Sequence, residues 1–232
     1  TTSGSAFTAV GANALFNNTT GGENTALGSH ALYQNTTGSS NVAVGGNALY
    51  QTTTGSNNTA VGRYCMLNNQ AGVNNVAVGM NALYNNTNSY NVAIGQGALF
   101  ANTSGASNTA VGYNCLGANT TASNNTAVGN GALDATQTGT GNVAVGTNAL
   151  TANTTSFNTA VGYNACRDTT SGLGNVAVGT SSLVVNTTGA ENTALGVDSL
   201  QSNTTASYSV GVGRNALKYN TTASGNTAVG FN

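Results

Sequence analysis

Charge is nearly missing from this chain. Of 232 residues, four are Lys or Arg and five are Asp or Glu, where about a quarter would be charged in an ordinary soluble protein. Four cations cannot build a surface that tracks phosphates, so a nucleic-acid interface is excluded. Proline and tryptophan are absent, and without proline nothing removes a donor from a continuous backbone ladder. No apolar run approaches the roughly 20 residues that span a bilayer, so membrane insertion is not expected. There is no initiator Met, basic leader or signal segment. The chain starts in mid-repeat, with TTSG at 1–4, and stops in mid-repeat after NTAVGFN, which reads as an excerpt of a longer array or a processed product.

Catalytic groups are equally scarce. The single histidine, His30, stands where other repeats carry Asn and reads as a surface or ladder substitution. The carboxylates Glu23, Asp134, Asp168, Glu191 and Asp198 are scattered over different repeats, mostly in turns. No enzyme is expected, because catalysis needs acids, bases or nucleophiles that converge. No cofactor site is expected either: Gly211-Val212-Gly213 lacks the strand-to-helix context of a nucleotide site. Cys65, Cys115 and Cys166 lie about 50 residues apart, a spacing unlike a metal site. They read as buried thiols rather than disulfides. Three coils of about 4.8 Å put them on the order of 14 Å apart, beyond disulfide reach.

What is present is a repeat. The 17-residue unit NTALGSHALYQNTTGSS, at 24–40, recurs from end to end, with copies starting at Phe7, Asn24, Asn41, Asn58, Asn75, Asn91, Asn108, Asn125, Asn142, Asn158, Asn175, Asn192, Ser209 and Asn226. A fixed short period marks units that bury their apolar face only by stacking. With 39% apolar residues and a net charge of −1, order is favoured over disorder. The fold expected is all-β: a parallel β-solenoid of about thirteen repeats, one elongated domain over 1–232 and a rod of roughly 60 Å.

Within the unit, positions 2 to 4 (Thr or Val, Ala, then Val, Leu or Ile) predict a short strand with both faces usable for packing. Gly at position 5 ends it. The Ala-Leu pair at positions 8 and 9 is a core signal that leaves a second strand or one helical turn open, with strand preferred. Aromatic residues at position 10, Phe16, Tyr33, Tyr50, Tyr84 and Phe100, predict a stacked outer column. NTTG at positions 12 to 15 is the returning turn, its Gly placed for positive φ. The copies at Asn75 and Asn142 are one residue short in this turn, which keeps the strand register. The Asn at position 1 is expected to form a side-chain ladder along the axis.

Every third repeat differs from the rest. The cysteines, the basic residues Arg63, Arg167, Arg214 and Lys218, and the bulky position-6 residues Arg63, Tyr113, Tyr163 and Arg214 share one class. Either three repeats were duplicated together, or three repeats make one turn of a larger three-sided path of about 50 residues, a period beyond the usual solenoid range. Sequons recur at position 12, at Asn18, Asn35, Asn102, Asn119, Asn153, Asn186, Asn203 and Asn220, with others at Asn17, Asn57, Asn85 and Asn124. A chain rich in Asn and Thr makes such triplets by accident, but a modified turn would carry a column of surface glycans.

The motif NTAVGxNALxxNTTG, as in the repeats 108–124 and 142–157, resembles the repeats of bacterial and phage tail-fibre-type proteins, often found upstream of an endosialidase-type intramolecular chaperone domain. Its NTAVG core is similar to the head element of trimeric autotransporter adhesins. It departs from them in its 17-residue unit and in lacking a chaperone or anchor domain. The resemblance implies a parallel β-roll, trimerisation and an extracellular, cell-surface or virion location. Three functions are then in view: a self-associating structural fibre; a glycan-binding adhesin or receptor-binding fibre module, with Tyr33, Tyr50, Tyr84, Arg63, Tyr113, Tyr163 and Arg214 as its contact surface; and an ice-binding solenoid. The last is disfavoured because NTT lies in a turn.

Overall fold

The computed structural model describes residues 4–232, so the repeat end read at 1–4 lies, except for Gly4, outside the described residues. The chain divides into two compact units, Thr1–Thr121 and Ala122–Asn232. The first holds β1 (Thr8–Val10), β2 (Thr25–Leu27), β3 (Val42–Val44), β4 (Thr59–Val61), β5 (Val76–Val78), β6 (Val92–Ile94) and β7 (Thr109–Val111). The second holds β8 (Thr126–Val128), β9 (Val143–Val145), β10 (Thr159–Val161), β11 (Val176–Val178), β12 (Thr193–Leu195), β13 (Val210–Val212) and β14 (Thr227–Val229).

Within each unit consecutive strands pair in parallel and in register, Thr25 with Val42 and Val42 with Thr59, for example. One repeat is therefore one coil of a parallel β-solenoid. This overturns the three-sided path of about 50 residues, since a strand pairs with the next repeat and not with the third. The short repeats keep register, with Val76 facing Val92 and Val143 facing Thr159. Their deletion does fall in the turn. Asn75 Nδ2 still reaches a turn carbonyl, that of Asn88 at 2.8 Å, where Asn58 reaches Gly72.

The interior of a coil is small and half polar. Ala at position 3, Ala, Cys or Ser at position 8, and Leu at position 9 are buried completely in nearly every coil. The remaining space is filled by two columns of Asn. At position 1, Asn58 Nδ2 donates to Gly72 of its own coil (2.8 Å) and to Asn41 Oδ1 of the coil before (3.1 Å). Asn41 Oδ1 also accepts the backbone N–H of Asn58 (3.0 Å). A buried amide left unmatched would cost about 1–3 kcal/mol. Here each coil supplies the partner of the next, and the interior needs no ion pair.

The Ala-Leu segment is neither strand nor helical turn. Ala31 N–H donates to Gly28 C=O (3.3 Å) around His30 at φ 58°, and Asn35 N–H donates to Leu32 C=O (3.2 Å). Leu32 itself has φ 51°, and the residue at position 9 repeats this from Leu15 to Leu217. The left-handed conformation costs an L-residue roughly 1–2 kcal/mol. It swings positions 8 and 9 to the same side, so both enter the core, where a strand would have sent one outward. The turn glycine at position 15 also departs from expectation. Gly21, Gly38 and Gly55 do not have positive φ; a Cβ on Gly38 would collide with the Gly55 carbonyl oxygen of the next coil. Close stacking, not turn conformation, keeps this position small, and Ala122, Ala206 and Ala223 are the largest residues that occupy it in the Gly-lacking turns of full length.

Candidate functional site

Two surfaces stand apart from the polar remainder. The first is the outer face of the strand ladder. Because Ala at position 3 points in, positions 2 and 4 both point out. At position 4 Val61, Val78 and Ile94 of the first unit, and Val145, Val161 and Val178 of the second, are 36–41% exposed. Position 2 carries only Thr or Val. Each unit thus presents two parallel columns of side chains, β-branched except for Leu27 and Leu195, with no charge between them. The sequence signal was there in the small residue at position 3, since the smaller side of a narrow coil must be the inner one. Of the two faces expected to be usable for packing, the Ala face packs inside the coil and the Thr/Val face lies on its surface.

The second surface is the aromatic column at position 10. Phe16 stacks on Tyr33 (centroids 5.6 Å, planes 10° apart) and Tyr33 on Tyr50 (5.2 Å, 5°). Tyr84 stacks on Phe100 (5.2 Å, 24°). Identical rotamers repeated at the strand spacing of about 4.8 Å leave rings no other geometry. His30 leans against Tyr33 and Tyr50 at 5.3 and 6.1 Å, its ring nitrogens engaged by Asn13 Nδ2 (3.2 Å) and Ser29 Oγ (2.8 Å).

The other expected contact residues do not gather. Tyr113 and Tyr163 are about half exposed. Arg63 donates to its neighbour Tyr64 (2.7 Å) and lies over that ring at 4.5 Å. Within the first unit Arg63 and Tyr113 are three coils apart, as are Tyr163 and Arg214 within the second, which separates each pair by roughly 14 Å. The chemical class they share is a series of single residues, not a patch. Lys218 is paired across coils with Asp198 (3.2 Å), and Arg167 with its neighbour Asp168 (2.7 Å), contacts worth about 0–1 kcal/mol at a solvated surface.

The position-12 Asn side chains, which a modified turn would carry outward as a glycan column, form an internal ladder. Asn18, Asn35, Asn102, Asn119, Asn153, Asn186 and Asn203 are 0–2% exposed. Asn35 Nδ2 donates to Asn18 Oδ1 (2.8 Å) and to Gly38 C=O (3.0 Å), and Asn203 Nδ2 to Asn186 Oδ1 (3.1 Å). A glycosylated nitrogen could not make these bonds or fit this space. Asn220 is half-buried and bonds to Ala223 C=O (3.0 Å). Of the remaining sequons, Asn17, Asn57 and Asn124 are exposed. The turn was correctly located; the direction of its Asn was not.

Cys65, Cys115 and Cys166 are buried thiols. Burial pushes Cys65 and Cys166 up to about 12, so neither is a nucleophile at neutral pH. Among the described residues no three His, Cys, Asp or Glu side chains are grouped to hold a metal ion, and no helix is long and apolar enough to cross a membrane. No family model matches the chain, and no curated protein matches it.

Proposed function

We propose that this chain is a non-enzymatic structural segment of an extracellular or virion-borne fibre, and that copies associate side by side through the strand face. The observation that carries the reading is the pair of uncharged Thr/Val and Val columns at positions 2 and 4. Six or seven such strands in each unit make an apolar strip on the order of several hundred Å², the range in which an exposed patch on a soluble protein marks an interaction site. A flat β surface of β-branched side chains meets its own kind without desolvating any charge, and closed homo-oligomers are the usual outcome of such a self-complementary surface. The resemblance to autotransporter heads favours three copies. The coils themselves supply stiffness and protease resistance, because the strand donors of each coil that has a successor are used in the ladder.

Light scattering across a range of concentrations tests this. The expected mass is three times that of the 22.8 kDa chain. The double variant Val78→Asp, Val161→Asp sets one carboxylate in the strip of each unit and is expected to give monomers with unchanged β-sheet content. A monodisperse wild-type monomer at every concentration would refute the proposal.

A further inference from the structure

The aromatic column of the first unit is interrupted at Leu67, and at that point a cleft of about 360 Å³ opens, lined by His30, Asn47, Tyr50, Gln51 and Leu67. Tyr50 is covered on one face by Tyr33, and the next side chain in its column is Leu67 rather than another ring, so the stack ends facing this cleft. Two primary amides border it. In the column of Asn47 some amides are consumed by the neighbouring coil, Asn13 by His30, Asn148 by Asn164 and Asn215 by Asn232, whereas Asn47, like Asn81 and Asn114, is left open, and of these three it is Asn47 that lines a cleft beside a stacked ring. Among the described residues the side chains of Asn47 and Gln51 have no hydrogen-bond partner in the protein. His30 has both ring nitrogens engaged and serves as a fixed wall. No charged residue lines the cleft, and the nearby Arg63 is held by Tyr64.

An aromatic ring beside unpaired amides, without charge, matches one ligand chemistry closely. A neutral hexopyranose has an apolar face of C–H groups and a rim of hydroxyls that both donate and accept. A primary amide likewise offers two donors and an acceptor. We infer that this cleft is a carbohydrate subsite for a neutral sugar, whose C–H face lies on Tyr50 and whose hydroxyls are bound by Asn47 and Gln51. An acidic sugar would find no cation to answer its carboxylate. The site belongs to the turn side of the coil and uses no strand-face residue, so it stands or falls independently of self-association.

The repeats themselves supply mild variants. Leu occupies the Tyr50 position at Leu67, Gly the Asn47 position at Gly97 and Gly131, and Ala the Gln51 position at Ala101 and Ala152. Saturation-transfer NMR on the full chain, with methyl β-glucopyranoside and methyl β-galactopyranoside as probes and sialyllactose as the acidic comparison, is the test. At least one neutral glycoside is expected to receive saturation on its ring C–H face. Tyr50→Leu, and separately the pair Asn47→Gly with Gln51→Ala, are each expected to weaken binding about tenfold, what an aromatic contact or two hydrogen bonds provide. Tyr84→Leu, made in the other stack, should leave it unchanged. No transfer to either neutral glycoside, transfer undiminished by Tyr50→Leu, or preference for sialyllactose would each overturn the assignment.

Discussion

Gly45 and Gly46 are neighbours in sequence and opposites in consequence. Gly45, at position 5, has φ 130°, and a Cβ built on it would lie 2.7 Å from the carbonyl carbon and oxygen of Gly62 in the next coil. Gly46 has nothing within 4 Å of its Cβ direction, and the first repeat carries Ala12 at the same position. Gly45→Ala therefore incurs about 1–3 kcal/mol for a backbone conformation that L-residues avoid. It also carries the cost of forcing two stacked coils apart, for a total of about 3 kcal/mol or more. Gly46→Ala should change stability by less than about 0.5 kcal/mol, or raise it slightly by restricting the unfolded chain. Stacked repeats need not unfold in one step, so the readout is native-state hydrogen exchange at Leu49 and Gly62, whose N–H groups donate to Cys65 and Val44. Exchange there should quicken by a hundredfold or more in Gly45→Ala, as 3 kcal/mol requires, and stay near wild type in Gly46→Ala. Equal protection in the two variants would refute the argument that coil-to-coil contact, and not turn flexibility, reserves position 5 for glycine.

Two further perturbations bear on the interior. At Thr52 the position-12 ladder is interrupted: its hydroxyl donates to Asn69 C=O (2.7 Å), and Asn35 Oδ1 is left buried without a partner. Thr52→Asn should restore the donor and stabilise by about 1 kcal/mol, whereas Asn35→Asp should cost several kcal/mol by facing a carboxylate with carbonyl oxygens; chemical denaturation ranks the two, and a neutral Asn35→Asp would sink the ladder's role. The thiols give a pH signature. Folding holds Cys65 and Cys166 protonated, raised from 9.0 to about 12, so the unfolded chain loses its protons first as pH rises. Their contribution is complete below about pH 9 and is lost on approaching pH 12. Below pH 9 a thiol-specific reagent should label them only as fast as the coils open, and rapid labelling of the native protein would contradict their burial.

The repeat and its register were legible because they depend on period alone, and a 17-residue period with Asn, Ala and Gly in fixed columns admits little except stacked coils. The position-1 Asn ladder followed for the same reason. What stayed hidden depended on direction. Nothing in the letters Ala-Leu announces a leucine at φ 51°, a conformation chosen by the coil's need to turn two apolar side chains inward at once. The position-12 Asn residues carry a surface motif in a turn, yet they are interior, because a coil with one Leu and two Ala facing in has room for a second amide column. The cleft at Tyr50 was visible only as the place where an aromatic column gives way to Leu67. The unpaired state of Asn47 and Gln51 had no sequence signal at all.

The constant reach of the amide ladder bears on how the chain acquires its structure. Asn41, Asn58, Asn75 and Asn192 each find the preceding amide 17 residues back, and the strands pair at that same distance. Every coil therefore closes a loop of 17 residues, or 16 in the two short repeats, and the entropy of closure, which grows with loop size, does not rise as the array lengthens. A coil already in place displays a finished row of Oδ1 acceptors and strand edges to the residues that follow it. Folding of this kind proceeds as a zipper from any formed pair of coils, its slow step the first pairing and each later one the same small problem solved again.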